Sequence, residues 1–186
     1  MLEVNFSPFP ELLTTRLLLR KLENTDAEQV LNLRSDNNVM KYIGKKPIEK
    51  IEEAKDFITM INDNVNNNSG INWAITFKEE PAKSIGVIGL WRIIKEHYRA
   101  EIGYMLLPGF WRKGITKEAI LKVIDYGFKD MKLHSIQGNI NSMNIASART
   151  LESTGFNLEA FFKEDFYFNG KFENTKIFSI LNPNSL

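Results

Sequence analysis

Two short stretches hold the residues best suited to chemistry. The first is AEIGYMLLPGFWRKGITKEA, where a strand-like run passes through Gly109, Arg112, Lys113 and Gly114 into a helical pattern. The first N–H groups of a helix have no internal acceptor and lie at the positive end of its dipole, so they suit a phosphate. Gly114 lets a ligand approach the backbone closely, and Arg112 and Lys113 add positive charge. An ordinary surface loop with a solvated Arg–Lys pair is the competing reading. Gly109 and Gly114 also have the spacing of GxxxxGK[ST], with Thr116 in place, but Ile115 stands where the phosphate-gripping Lys must be. That departure argues against a nucleotide triphosphatase.

The second stretch is NSMNIASARTLESTGF, Asn141 to Phe156. Asn144 and Ser147 are three apart and fall on one face at the start of a helix, with Ile145, Ala148 and Leu151 turned toward a core. The alternative is that Asn144 only caps the helix and Ser147 is solvated. Neither stretch contains Cys, and the chain has none, which removes disulfides, thiolate nucleophiles and sulfur-ligated metals. Its two histidines, His97 and His134, stand far apart, so no metal site is expected.

These residues must be positioned by a fold, and hydrophobic periodicity outlines it. RLLLRKL (Arg16 to Leu22) reads as a strand, and Thr25 with Glu28 has the spacing of a helix capping box. A second helix follows Pro47, with Ile51, Ala54, Ile58 and Ile61 on one side, and NDNVNNNSG (Asn62 to Gly70) reads as an exposed loop. Three strands come next, NWAITF, SIGVIGLWRII and AEIGYMLL, spaced for an antiparallel meander. Lys113 to Met131 carries the clearest helical period. A strand over Ser135 to Ile140, a helix over Asn144 to Thr154 closed by Gly155, and a hairpin turning at Asn169–Gly170 complete the chain. The order predicts an α/β fold, a mixed sheet with helices on both faces. At 186 residues, 43% of them apolar, the chain is expected to form a single domain over 1–186.

The formal net charge of +1 lacks the basic bias of a duplex-binding protein, so no nucleic acid is expected as partner. The start MLEVNFSPFPELLTT lacks a basic segment followed by an apolar run, and no stretch is long and apolar enough to span a membrane. A cytoplasmic location without membrane partners follows as the expectation.

Taken in order, TTRLLLRKLENTDAEQVLNL, NWAITF, SIGVIGLW, AEIGYML, WRKGITKEA and NIASARTLESTGF resemble the GNAT superfamily of N-acetyltransferases. The likeness points to its RimJ/RimL-like branch, which acetylates ribosomal-protein N-termini. It implies a mostly antiparallel sheet splayed between its fourth and fifth strands, with acetyl-CoA as co-substrate. The family's phosphate loop, [QR]xxGx[GA], reads here Trp111, Arg112, Lys113, Gly114, Ile115, Thr116; the central Gly is kept, while Trp111 and Thr116 depart from the pattern.

The resemblance further implies that Met105, Leu106 and Leu107 turn amides toward the thioester, where an N–H stabilises the developing oxyanion. Asn144 would line the thiol end of the cofactor, and Ser147, or a tyrosine such as Tyr167, would return a proton to the thiolate. Glu101 matches the catalytic glutamate of the histone-acetylating branch; an ion pair with a neighbour such as Arg99 is its alternative role. Tyr42, Trp73 and Trp91 are candidates for the acceptor pocket, although aromatics at strand positions more often form core. The expected partner is a primary amine, a protein N-terminus or a small polyamine or antibiotic. Direct attack in a ternary complex is favoured, with a non-catalytic acetyl-CoA-binding module as the alternative, and a monomer or homodimer as the assembly.

Overall fold

A computed structural model of the chain describes residues 1–184. Its strands are β1 (Leu12–Leu13), β2 (Leu17–Lys21), β3 (Ile71–Phe77), β4 (Gly86–Ile94), β5 (Arg99–Leu106), β6 (Ser135–Asn141), β7 (Asn157–Phe168) and β8 (Lys171–Leu181). They form an eight-stranded sheet in the order β1-β2-β3-β4-β5-β6-β8-β7. The helices are α1 (Ala27–Ser35), α2 (Asn37–Met40), α3 (Ile51–Asn66), α4 (Ile115–Lys129) and α5 (Ile145–Glu152). Alternation along the strands sends side chains to two faces. Trp73, Ile75, Ile88, Leu90, Ala100 and Ile102 pack with α4 residues such as Ala119, Ile120 and Val123. Ala74 and Val87 point the other way and pack with Val30, Leu33, Ala54, Ile58 and Ile61 of α1 and α3.

Strands β3 to β5 form the expected antiparallel meander, and β2 pairs antiparallel with β3 after the chain has passed through α1, α2 and α3. Strands β5 and β6 run parallel and pair only from Arg99↔Ser135 to Glu101↔Gln137. Beyond Glu101 they diverge, because β5 stays on β4 to Leu106↔Gly86 while β6 stays on β8 to Asn141↔Thr175. The splay implied by the resemblance is therefore present, flanked by α4 and α5.

Several local expectations are corrected. The box before α1 is formed by Glu23 and Asp26, not Thr25 and Glu28. Asp26 is fully buried, accepts the Glu23 N–H at 2.9 Å and takes both terminal nitrogens of Arg20 at 2.8 and 2.7 Å, which fixes it in place. The Asn-rich tract does not begin a loop at Asn62: α3 continues to Asn66 because Val65 extends the buried stripe of Ile58 and Ile61. Asn169 and Gly170 do turn a hairpin, with φ of 48° and 80°, but its strands reach from Asn157 to Leu181. Their exposed aromatics gave no alternation to read.

Candidate active site

The turn before α4 leaves main-chain donors open, as the expected phosphate loop requires. Arg112 and Gly114 both lie in the left-handed region, at φ 59° and 73°, and residues 111–114 are exposed. The first backbone bond inside the helix runs from Glu118 N to Gly114 O at 3.0 Å, so the N–H groups of Ile115, Thr116 and Lys117 have no carbonyl one turn back. A Cβ on Gly114 would meet only Arg16 Nη2, at 3.6 Å, so glycine is required there for its backbone angle and for close approach rather than for lack of room. The Ile115 side chain is 1% exposed and packs in the core, so that residue can offer only its backbone. Its place in the core also ends the GxxxxGK[ST] reading.

Arg16 organises this turn. It donates from Nη1 to Lys113 O at 3.0 Å and from Nε to Glu118 Oε2 at 2.7 Å, while its own N–H reaches Glu118 Oε1 at 2.8 Å. In a trans peptide the carbonyl and the next N–H point in opposite directions, so holding Lys113 O turns the Gly114 N–H outward. Burial works to raise the pKa of Glu118, but the donors Thr14 and Arg16 outweigh it and hold the carboxyl below its ordinary value. Lys113 Nζ bonds Gly109 O at 2.8 Å, and the Arg112 side chain is exposed. We expect Arg16→Ala to raise the KM for acetyl-CoA about 10-fold at unchanged kcat, which corresponds to the loss of about one charge-assisted hydrogen bond. Steady-state rates at saturating acceptor check this; an unchanged KM would show that the tether does not shape the turn.

Strand β5 carries outward donors, but not all those expected. Leu107 N bonds Ile85 O at 2.9 Å, and by the alternation of the antiparallel register Met105 likewise faces β4. The amides of Met105 and Leu107 are thus used within the sheet. Tyr104 and Leu106, between and beside them, turn their backbone groups toward the gap. Trp111 Nε1 takes the outward Leu106 carbonyl at 2.7 Å, which leaves the Leu106 N–H as the donor at this point. The departure at Trp111 therefore closes the end of β5.

The gap between β5 and β6 is bridged on both faces. On the α1/α3 face, Glu101 Oε2 accepts from Asn139 Nδ2 on β6 at 3.0 Å and from Arg92 Nη1 at 3.0 Å. Arg92, not Arg99, is its ionic partner; it stands at φ 45°, where the β4–β5 register shifts between Trp91 and Ile94. The Glu101 side chain is 11% exposed and that of Arg92 72%. Burial pushes the Glu101 carboxyl above its ordinary pKa, opposed by Arg92 and by hydrogen bonds from Arg92, Trp91 and Asn139.

On the α5 face, the Tyr104 hydroxyl lies 2.7 Å from Ser147 Oγ. Asn144 caps α5 by accepting the Ser147 N–H at 3.1 Å, so the capping role holds while Ser147, 9% exposed, is not solvated. Ile145 does not face the core as expected; at 49% exposure it points outward, since at the first position of α5 it precedes the buried stripe of Ala148 and Leu151.

Of the three aromatics, Trp91 is half exposed and lies over Gly103, where a Cβ would come 3.4 Å from its ring. Tyr42 lines a cavity of about 200 Å³ with Lys41, Asn141, Met143, Phe172 and Glu173, at the end of β6 where the gap is open. Trp73 is misassigned: it is fully buried on the α4 face, donates to Pro10 O at 2.7 Å and packs edge-on against Tyr126 at 5.4 Å. Tyr167 stands on the outermost strand, where its ring meets Phe172 of the Tyr42 cavity at 5.0 Å.

Arg16, Arg92, Tyr104 and Asn139 were missed. A TTRLLLR run marks Arg16 only as part of a strand, and nothing local marks the other three, which strand register and the bulge bring to the gap.

A mixed sheet split beside an open helix start is the architecture the resemblance implied, and likeness to known proteins supplies the family. Residues 16–157 match the family described as Acetyltransferase (GNAT) domain. The chain is 36% identical over 175 residues, 94% of its length and 98% of the other, to the uncharacterized N-acetyltransferase YoaA of Bacillus subtilis (strain 168). A GNAT-family acetyltransferase from Bacillus anthracis has a TM-score of 0.82 at 30% identity, covering 93% of this chain and 99% of that one. Spermidine N-acetyltransferase from Vibrio cholerae, solved in complex with CoA and spermine, has a TM-score of 0.79 at 27% identity, covering 89% and 95%. The chain belongs to the GNAT acetyltransferase family. It is an N-acetyltransferase with acetyl-CoA as its co-substrate.

Proposed function

We propose that this enzyme acetylates the α-amine of a protein N-terminus, in the manner of the RimJ/RimL-like branch. The observation that carries this reading is the charge around the open end of the gap. The one carboxylate buried there among the described residues, Glu101, is already held by Arg92. In the adjoining cavity Glu173 is engaged by Lys171 at 2.8 Å and by Asn141, and Lys41 adds a further cation. A polycation needs unspent carboxylates, whereas an α-amine, with a pKa of about 7.7 to 8.0, is partly neutral at pH 7 and needs little help.

In this reading the Gly114 turn and the first amides of α4 hold the diphosphate, with Arg112 and Lys113 adding charge. The pantetheine arm lies along the outward edge of β5 near Asn144. The acceptor enters from the α1/α3 face past Tyr42 and Trp91. Its nitrogen attacks the thioester carbonyl and gives a proton to Glu101, the N–C bond forms, the C–S bond breaks, and the sulfur takes up a proton. The Leu106 N–H faces the oxygen on which charge develops, an interaction worth about 2.7 to 4 kcal/mol in comparable sites. Ser147 meets the departing sulfur on the opposite face, so base and leaving group are separated by the sheet itself.

A small polyamine acceptor is the second reading, favoured by the likeness to spermidine N-acetyltransferase. Thiol release measured with N-terminal peptides, spermidine and an aminoglycoside, with products weighed by mass spectrometry, separates the two. We expect kcat/KM for the best peptide to exceed that for spermidine by at least about 10-fold, the value of one spent carboxylate contact. The reverse order would replace the first reading by the second.

A further inference from the structure

We infer that Tyr104 is a positioning residue for the transfer step: its hydroxyl donates to Ser147 Oγ and so leaves the Ser147 proton directed at the departing sulfur. The inference rests on the proposed placement of the thioester in the gap. The two oxygens are 2.7 Å apart, and the bond crosses from β5 to the first turn of α5. Ser147 is buried and its N–H is fixed on Asn144 Oδ1, so rotation of its O–H is its main remaining freedom. Which hydroxyl donates then decides what Ser147 can do. If Ser147 donated to Tyr104, its proton would be spent.

Phenol chemistry settles the direction. A phenol is a stronger acid than an aliphatic alcohol, and its oxygen is the poorer acceptor because its lone pair is shared with the ring. Burial pushes the Tyr104 phenol up to about 12, partly offset by the Ser147 bond, so it keeps its proton over the working pH range. The donor chain therefore runs Tyr104 to Ser147 to sulfur.

Magnitudes also say what kind of help this is. A thiol of ordinary pKa, about 8.5, is a much stronger acid than the buried Tyr104 phenol, so outright transfer from the phenol to the thiolate is unfavourable. The pair acts as two linked hydrogen-bond donors that stabilise charge on sulfur. Once the C–S bond has broken, the thiolate takes its proton from solvent, and Glu101 releases the amine's proton to solvent on the other face, so the protons balance.

Tyr104→Phe keeps the ring and removes the donor. We expect kcat to fall about 10-fold with the KM for acetyl-CoA within about twofold, about the value of one hydrogen bond between neutral groups. On a Ser147→Ala background the same substitution should cost nothing more, because the group it orients is gone. Thermal melts confirm that each variant folds. An equal loss of kcat on both backgrounds, or a raised KM at unchanged kcat, would make Tyr104 a mere strut across the gap and overturn the inference. Wild-type turnover by Tyr104→Phe, with Ser147→Ala slow, overturns it alone. Wild-type turnover by Ser147→Ala overturns it together with the reading on which it rests.

Discussion

Gly114→Val is expected to weaken CoA binding by about 10²- to 10⁴-fold in titration calorimetry while the protein stays folded. The turn offers successive main-chain donors only because Gly114 sits at φ 73°. A β-branched residue resists that conformation, because holding an L side chain in the left-handed region costs roughly 1 to 2 kcal/mol. The larger loss is functional. Hydrogen bonds to a charged group are each worth about 1.5 to 3 kcal/mol, and re-aiming two of them off a diphosphate removes about 3 to 6 kcal/mol. The position is exposed and a new side chain would meet only the end of Arg16, so packing is untouched. CoA affinity within threefold of wild type would remove the diphosphate from this turn.

For Glu101→Gln the effect depends on the acceptor. With an amine of pKa about 10.4 we expect kcat to fall about 10²- to 10⁴-fold, the usual contribution of a general base. With a peptide α-amine the loss should be about 10-fold or less. A loss of equal size on both acceptors would argue that Glu101 only shapes the gap. Wild-type activity should fail as pH drops through the carboxyl's raised pKa, and Arg92→Ala, which removes an opposing cation, should move that failure to higher pH. Stability runs the other way. A carboxyl whose folded pKa is raised contributes most below its unfolded pKa, and that contribution is lost as pH rises through the folded value. The uncharged glutamine has nothing to lose, so the variant should melt above wild type at pH 7, with the difference shrinking in acid.

How far the sequence spoke depended on distance along the chain. The helix after Gly114, the meander and the Asn144 cap follow from patterns a few residues long, and they stand where expected. What failed was geometry set by partners. Whether an amide of Met105 or of Leu106 faces the gap is decided by the register with β4, and one residue of parity reverses the answer. Trp73 and Trp91 look alike as strand aromatics, yet parity buries one against α4 and leaves the other beside Glu101. Arg92 reaches Glu101 through a bulge that no run of letters announces. The helix reaching Asn66 was hidden because its polar residues look like turn formers while Val65 alone carries the packing.

The short pairing of β5 with β6 has a consequence for the economy of the folded chain. Past Glu101 each strand turns one margin toward the other without touching it, an arrangement that elsewhere invites stray chains to dock. In the proposed reading, a slender thioester arm laid in that slot serves as an honorary strand, mending the sheet as well as feeding the reaction. Occupancy then adds to folding by mass action, about 2.7 kcal/mol at a hundred times the dissociation constant. Such an enzyme would be sturdiest when acetyl-CoA is plentiful and most exposed to clumping when it runs short.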